Sequence, residues 1–471
     1  MPIDNLTYLF TQTFAQQPLE MKELSASGSN RRYFRMQGNN FTVIGAYNKD
    51  LKENQAFIGF TKHFHSQGFA VPEVLAQDLS KHIYLLTDLG DETLYSYRCK
   101  FNEFTPELMQ TYKEALKNLL ALQTKGGNNL DYSLCYPRAA FDRQSIYWDL
   151  NYFKYYFLKL AHISFDEQLL ENDFVTFTNF LLEADADFFL FRDFQSRNIM
   201  LHDNKLFFID YQGGRKGALP YDVASLLYDG KAAIPQSIRE ELVDYYIEEL
   251  TASKLWNPTL FRKYYYAFVL VRIMQAMGSY GYRGFYERKE HFLLSIPFAL
   301  KNLSWILENI QLPVVLPTLS KVFEQLIHSE KLQSFKQPKL KIDIHSFSFK
   351  IGYPQDTSGN GGGFVFDCRC LPNPGRQEAF VHLTGQHTEV VNFLEKEREV
   401  ILYFEHIKSI VDLAVKNYLE RDFSHLSISF GCTGGQHRSV YFAEKLSNYL
   451  LGKYPVTTFV HHNAEKNWVL K

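Results

Sequence analysis

The chain has 471 residues, more than one ordinary domain organises around a single core, so two or three domains are expected. Its 46% hydrophobic and 22% charged content is that of a globular protein, and a net charge of −2 gives no global pull toward nucleic acid or an acidic membrane. Five scattered cysteines (Cys99, Cys135, Cys368, Cys370 and Cys432) form no disulfide framework and read as reduced thiols. The N-terminal MPIDNLTYLF lacks the cationic start and apolar run of a signal peptide. The most apolar helical stretch, Tyr264 to Met277, is short of a membrane span and carries Arg272. A soluble cytoplasmic protein without a membrane partner is expected.

Residues 20 to about 88 predict short strands and one helix. FRMQGN-NFTVIGAY reads as two strands joined at Gly38-Asn39-Asn40. Phe57, Phe60 and Phe64 share one face of a helix that begins near Glu53 and stops at Gly68. IYLLTDLG, Ile83 to Gly90, is a buried strand running into a polar turn. From residue 92 to about 312 long aromatic amphipathic segments predict helices, which Gln311 to Ser320, with its two prolines, is expected to end. The polar, basic stretch Ser329 to Lys341 reads as a linker. Alternation restarts at Ile342, Ile344, Phe347, Phe349 and Ile351, marking a new domain with αβ texture.

FRDFQSRNIMLHDNKLFFID, Phe191 to Asp210, interrupts the helices with a loop and a short hairpin. It sets Asp193, Asn198 five residues on, and Asp210 at the end of an apolar run. A carboxylate on a loop can orient a substrate hydroxyl and accept its proton. An asparagine and a second aspartate can hold Mg²⁺ through oxygen ligands while the ion neutralises nucleotide phosphates. Loop capping is the bland alternative for Asp193 and Asn198.

Together with SNRRYFRM (Ser29–Met36), LLTDLG (Leu85–Gly90), FFIDYQGG (Phe207–Gly214) and PYDVASLLYD (Pro220–Asp229), this stretch resembles the aminoglycoside phosphotransferase and choline kinase superfamily. The closest likeness within it is to bacterial kinases that phosphorylate N-acetylmuramate or N-acetylglucosamine at the anomeric carbon. The resemblance covers residues 5 to 315 and implies a two-lobed, protein-kinase-like fold with ATP and Mg²⁺ as cofactors. It implies Asp193 as catalytic base, Asn198 and Asp210 as metal ligands, and Asp222 as a buried brace for the catalytic loop. Ser27, Gly28, Ser29 and Asn30 become the loop over the phosphates. Glu53 anchors a phosphate-binding cation, and Leu85 to Leu89, including Asp88, form the adenine hinge. Two positions depart from the pattern: Phe191 stands where the superfamily has His, and FTVIGAY carries no lysine. Arg32 or Arg35 on the preceding strand is the expected substitute, since arginine clamps phosphate well.

SISFGCTGGQHRSV, Ser427 to Val440, runs from an apolar strand through a Gly-rich turn into a helix, which exposes N–H groups at the positive end of a helix dipole. Cys432-x₅-Arg438-Ser439 also fits a tyrosine-phosphatase loop with a thiolate nucleophile. With FVFDCRCLPNP (Phe364–Pro374), LTGQHTEVVNF (Leu383–Phe393) and GCTGGQHRSVYFAEKL (Gly431–Leu446), however, residues 341 to 467 resemble the C-terminal domain of the RNase adapter protein RapZ. That resemblance implies a phosphofructokinase-subdomain-like loop that binds an amino-sugar phosphate. Asp367, Arg369, Asn373, Cys432, Thr433, Gly434, Gly435, Gln436, His437, Arg438 and Ser439 would line the pocket. It also brings RNA into view as a partner. Residues 341–471, though, carry as many Asp and Glu as Lys and Arg, and RNA affinity rests on phosphate neutralisation.

The expected architecture is α+β: a kinase-like N-lobe (1–90), a helical C-lobe (91–320), a linker (321–340) and a separate α/β phosphosugar-binding domain (341–471). The expected function is ATP- and Mg²⁺-dependent phosphoryl transfer to a small hydroxylated acceptor, an amino sugar or cell-wall sugar. The alternative is a nucleotide-binding pseudokinase that serves as a metabolite-sensing RNA adapter.

Overall fold

A computed structural model describes residues 2–24, 31–101, 103–254, 257–335, 340–354, 363–421, 423–454 and 456–465. The chain divides into two compact units, Met1–Ser334 and Phe335–Lys471.

The first unit opens with α1 (Pro2–Phe14), β1 (Glu20–Glu23), β2 (Arg32–Gln37), β3 (Thr42–Tyr47), α2 (Leu51–Ser66), β4 (Val74–Asp78) and β5 (Ile83–Thr87). The strands form an antiparallel sheet in the order β1-β2-β3-β5-β4. Side chains alternate between its faces. Phe34, Met36, Val43, Ile83 and Leu85 pack beneath Leu6 and Phe10 of α1. The opposite parity sets Tyr33 beside Ala46 and Ala46 beside Tyr84. Tyr84 stacks at 5.4 Å on Phe57 of α2, which places α2 on that second face. Helix α2 starts where Asp50 accepts from the N–H groups of Lys52 and Glu53, and it stops before Gly68, whose φ of +80° suits glycine.

The helical lobe comprises α3 (Leu94–Arg98), α4 (Pro106–Ala121), α5 (Arg143–Phe153), α6 (Glu167–Leu181), α7 (Pro220–Leu227), α8 (Gln236–Ser253), α9 (Pro258–Tyr280), α10 (Ile296–Asn309), α11 (Pro317–Ile327) and α12 (Glu330–Gln333). Two small antiparallel pairs interrupt it: β6 (Phe188–Leu190) with β9 (Arg215–Gly217), and β7 (Ile199–His202) with β8 (Lys205–Phe208). The helices run further than the prolines suggested. Pro317 takes the first turn of α11, where its missing N–H costs nothing, and Leu319, Val322, Phe323 and Leu326 bury one face. Residues 321–333 thus continue the helical unit where a linker was expected. Among the described residues no helix is long and apolar enough to cross a membrane.

The second unit contains β10 (Lys341–Ser348), β11 (Gly363–Asp367), α13 (Thr388–Glu395), α14 (Arg398–Glu420), β12 (His425–Cys432), α15 (Arg438–Lys453) and β13 (Thr457–His462). The four strands are parallel, in the order β11-β12-β10-β13. Parallel neighbours need long crossovers, which the helices supply. Ile342, Ile344, Leu426, Ile428 and Phe430 form a core with Val411 and Val415 of α14 and Phe442 and Leu446 of α15. The other parity of the sheet brings Asp343 and His345 beside Ser427, Ser429 and His461.

Candidate active site

The catalytic loop is held from below by one carboxylate. Asp222, fully buried on α7, accepts from the backbone N–H groups of Phe191 (2.7 Å) and Arg192 (2.9 Å) and from Gln123 Nε2 (3.1 Å). Burial pushes its carboxyl up to about 7 against the pull of those three donors. Arg192 adopts a φ of +82°, uncommon for a side-chain-bearing residue. Its guanidinium is clamped by Asp149 at 2.8 and 2.6 Å and by Tyr221 Oη at 2.6 Å. Phe191, in place of the family histidine, braces the loop by packing: its ring meets Phe194 at 5.1 Å and Tyr211 at 5.8 Å.

These braces present Asp193 half-exposed, with Oδ1 3.8 Å from Arg272 Nη2 of α9. Asn198 Nδ2 donates to the backbone carbonyl of Asp193 at 2.9 Å and lies 3.3 Å from Asp210 Oδ2, so one amide ties the Asp193 loop to Asp210. Asp210 sits at φ +71°. Burial raises its carboxyl pKa, and the Asp193 carboxylate pushes the same way. Gln212 Nε2 donates to Asp210 Oδ1 at 2.7 Å, while Gln212 Oε1 is buried without a hydrogen-bond partner among the described residues. Paired carboxylates, an amide oxygen and an unsatisfied buried carbonyl oxygen suit a hard cation. No cluster of three or more His, Cys, Asp or Glu side chains that could hold a metal occurs among the described residues. Mg²⁺ uses one or two carboxylates and completes its shell with water and phosphate oxygens.

β3 carries no cation, but one faces α2 from just ahead of β2. Arg31, 2% exposed at the side chain, sets Nη2 2.8 Å from Glu53 Oε1 of α2 and donates from Nη1 to Tyr33 Oη at 3.1 Å. Asn48 Nδ2 holds the other Glu53 oxygen at 2.7 Å. Residue 31 has the strand parity of Tyr33 and faces α2; on that face β3 presents Thr42, Ile44 and Ala46, none of them a cation. This corrects the expectation for Arg32 and Arg35. Arg32 has the opposite parity and pairs with Glu23 at 2.7 Å. Arg35 is consumed by Asp88 (2.6 and 3.0 Å) and Asp91 (2.9 Å), locking β2 to the segment after β5. Arg35 and Asp88 therefore meet each other, away from Glu53. Ser27, Gly28, Ser29 and Asn30 lie outside the described residues.

In the second unit the Gly-rich turn spends most of its side-chain donors on its own scaffold. Gln436 Nε2 donates to the Leu383 and Val381 carbonyls at 2.8 and 3.1 Å. His437 Nε2 lies 2.8 Å from the Phe380 carbonyl, and burial lowers the pKa of this imidazole. Arg438 Nη1 donates to the carbonyls of Leu371 (2.7 Å) and Arg369 (3.1 Å). Cys432 is buried, its Sγ accepting from the Gly435 N–H at 3.2 Å and 3.2 Å from Ser439 Oγ. Asp367 and Arg369 pair bidentately, and Asn373 accepts from the Gly375 N–H. Thr433 and Gly434 remain exposed at the tip. A cavity of about 400 Å³ in this unit is lined instead by Gln386, Glu395, Tyr441, Glu444 and Lys445, and none of Cys432 to Ser439 lines it.

The model of the phosphotransferase enzyme family matches residues 20–256, half of the chain. The chain belongs to that family. A second model, the RapZ C-terminal domain, matches residues 340–465. A nucleotide-binding protein of Staphylococcus aureus (strain JH9) is 40% identical over 121 residues, a stretch that covers 26% of this chain and 38% of that protein. Among solved structures, a choline kinase from Cryptosporidium parvum Iowa II aligns with a TM-score of 0.44 at 13% identity, covering 65% of this chain and 93% of that one. An ethanolamine kinase of Plasmodium vivax aligns with a TM-score of 0.45 at 12% identity, covering 61% and 81%.

Within this phosphotransferase unit, reading the sequence misses Arg31, Gln212, Arg272 and the Asp149–Arg192 clamp. Two of these leave a trace. Arg31 shares the parity of Tyr33 two residues on, and Gln212 follows two residues after Asp210. Asp149 and Arg272 sit on helices far along the chain and have no local signal.

Proposed function

We propose that the first unit is an ATP- and Mg²⁺-dependent phosphotransferase acting on the hydroxyl of a small acceptor, an amino sugar or cell-wall sugar, and that the second unit binds an amino-sugar phosphate. The bridging of the Asp193 main chain and the Asp210 carboxylate by Asn198, backed by the Arg31–Glu53 pair, carries this reading. Asp193 orients the acceptor hydroxyl and takes its proton. Asn198 and Asp210 would hold Mg²⁺, which when bound neutralises charge on the transferred phosphoryl group. Arg31, fixed by Glu53, clamps nucleotide phosphate in the role usually given to a strand lysine. In the second unit the exposed Thr433–Gly434 tip at the start of α15 supports an anion site.

ADP release across a panel of hexosamines and nucleosides tests the reading. Turnover on a sugar, lost in Asp193→Asn and lost on chelation of divalent ions, is expected. No turnover on any acceptor, with Asp193→Asn equal to wild type, ends it. The pseudokinase-adapter reading drew on the missing strand lysine and on Phe191, and Arg31 weakens the first of these grounds. ATP binding without transfer, together with retention of a small RNA at physiological salt, would restore it.

A further inference from the structure

Helix α14 carries two apolar stripes. Val400, Phe404, Ile407, Val411 and Val415 are buried in the core of the second unit. On the opposite side Leu402 is 55% and Leu413 65% exposed, where a surface helix ordinarily presents polar residues. They belong to a row, Glu399, Leu402, His406, Ser409, Leu413 and Lys416, that advances by three and four residues in alternation, and all six are exposed. That spacing keeps one seam of a helix turned toward a neighbouring helix. Glu399 and Lys416 end the row with opposite charges, and among the described residues no hydrogen bond or ion pair engages either side chain.

We propose that this row is the contact between two copies of the chain, α14 against α14, antiparallel about a two-fold axis that passes between His406 and Ser409. In that register Leu402 of each copy meets Leu413 of the other, His406 meets Ser409, and Glu399 meets Lys416, each pair made twice as a two-fold contact requires. The row is complementary to itself in both apolarity and charge. Other arrangements fail on the same residues. Parallel pairing sets Glu399 against Glu399 and Lys416 against Lys416. Sliding the antiparallel pair by a heptad sets Leu402 against Glu420 in one direction and against His406 in the other. On one flank of the proposed register Ile410, 47% exposed, comes beside Tyr403 of the other copy. On the other flank Glu405 and Asp412 approach each other already held by Lys408 at 2.7 Å and Lys453 at 2.6 Å of their own chains. A seam one helix wide and about 34 Å long is small for a specific interface, so the dimer exchanges with monomer at micromolar concentration.

Sedimentation velocity of the full chain across the micromolar range is the test. Wild type should pass from monomer to dimer as concentration rises. Leu413→Glu sets a carboxylate against each Leu402 and should leave monomer throughout. Glu399→Lys and Lys416→Glu should each weaken the dimer about tenfold, because either change turns two attractive pairs into two repulsive ones. An equal mixture of these two single variants should dimerise as wild type does, since each copy then offers the sign the other lacks, and so should the double variant Glu399→Lys with Lys416→Glu. All three side chains are exposed, and thermal unfolding coincident with wild type checks that each variant keeps its fold. If Leu413→Glu fails that check, the charge variants and their mixture decide alone. A monomer at every concentration overturns the proposal and leaves the stripe to a partner of unlike sequence. A dimer that the charge reversals do not weaken, or that the mixture does not restore, overturns it as well.

Discussion

Arg31 and Glu53 form an ion pair at 2.8 Å across the face of the N-terminal sheet that β3 leaves without a cation. Burial works against the Arg31 charge, but Tyr33, Tyr84 and Glu53 more than offset it, so the guanidinium stays charged and aimed. Arg31→Ala is expected to lower kcat/KM for ATP by roughly 10²–10³, the scale of losing one preorganised donor to a transferring phosphoryl group. Arg31→Lys should recover part of it. Arg31→Ala combined with Glu53→Ala should cost little more than Arg31→Ala alone, because the two act as a unit. Strictly additive losses in steady-state kinetics would separate them.

Asp222 accepts from two backbone N–H groups of the loop, those of Phe191 and Arg192. Asp222→Ala should destabilise the first unit by about 3 kcal/mol, the scale of leaving buried donors unpaired. Asp222→Asn, which keeps one acceptor oxygen, should cost less. Urea denaturation of both variants checks the order, and equal stability of Asp222→Ala and wild type would show that the loop stands without its brace.

Gly434 and Gly435 are adjacent but not equivalent. A Cβ on Gly435, at φ +68°, would stand 2.5 Å from Ala464 Cβ and 3.0 Å from the Ser348 nitrogen, whereas one on Gly434 meets nothing within 4 Å. Gly435→Ala should lower the stability of the second unit by about 1–3 kcal/mol, and Gly434→Ala by a few tenths at most. Thermal unfolding of the two variants side by side tests the contrast.

The second unit should weaken on mild acidification. Burial lowers the pKa of His345, and His461, stacked on it at 4.8 Å, adds to that, while Asn463, 3.2 Å away, opposes it. Burial also lowers His437, with Arg438 reinforcing the effect. The unfolded chain takes up these protons near pH 6.5, before the folded form does. Stability is therefore complete above pH 6.5 and falls as pH drops from there toward the lowered folded values. Asp343, held low by His461 and His425 against the effect of burial, acts only below its usual 3.8 and leaves this window alone. The melting temperature of the second unit should drop between pH 7.5 and 5.5, and His345→Gln and His437→Gln should flatten the profile. A flat wild-type profile would contradict the assignment.

Patterns carried by neighbouring residues were legible in the sequence. The β2–β3 hairpin, α2 with its phenylalanine face, and the strand after Lys341 all emerge from periodicity, because burial on one side writes a period of 2 or 3.6 into the chain. The Asp193–Asn198–Asp210 grouping was legible because one loop and one hairpin contain it. Arg31 was hidden because a sheet face is shared between strands, so a cation can be supplied from β2's edge to a place usually filled from β3. The helix after Pro317 was hidden because a proline marks a first turn as readily as an end. The donors of Gln436, His437 and Arg438 read as ligands in one dimension. In three, carbonyls between residues 369 and 383 take them, and no local pattern announces a partner some sixty residues away.

Gln212 holds Asp210 Oδ1 at 2.7 Å and reaches Glu53 Oε1 at 3.4 Å with the same nitrogen. One amide thus serves the Asp210 loop and helix α2 together. Drawing α2 outward strips that nitrogen of one partner, and loading an ion at Asp210 competes for the oxygen it grips. Were a metal held at Asp210 as proposed, its uptake and the pose of α2 would be linked variables, each biasing the other by the same free energy.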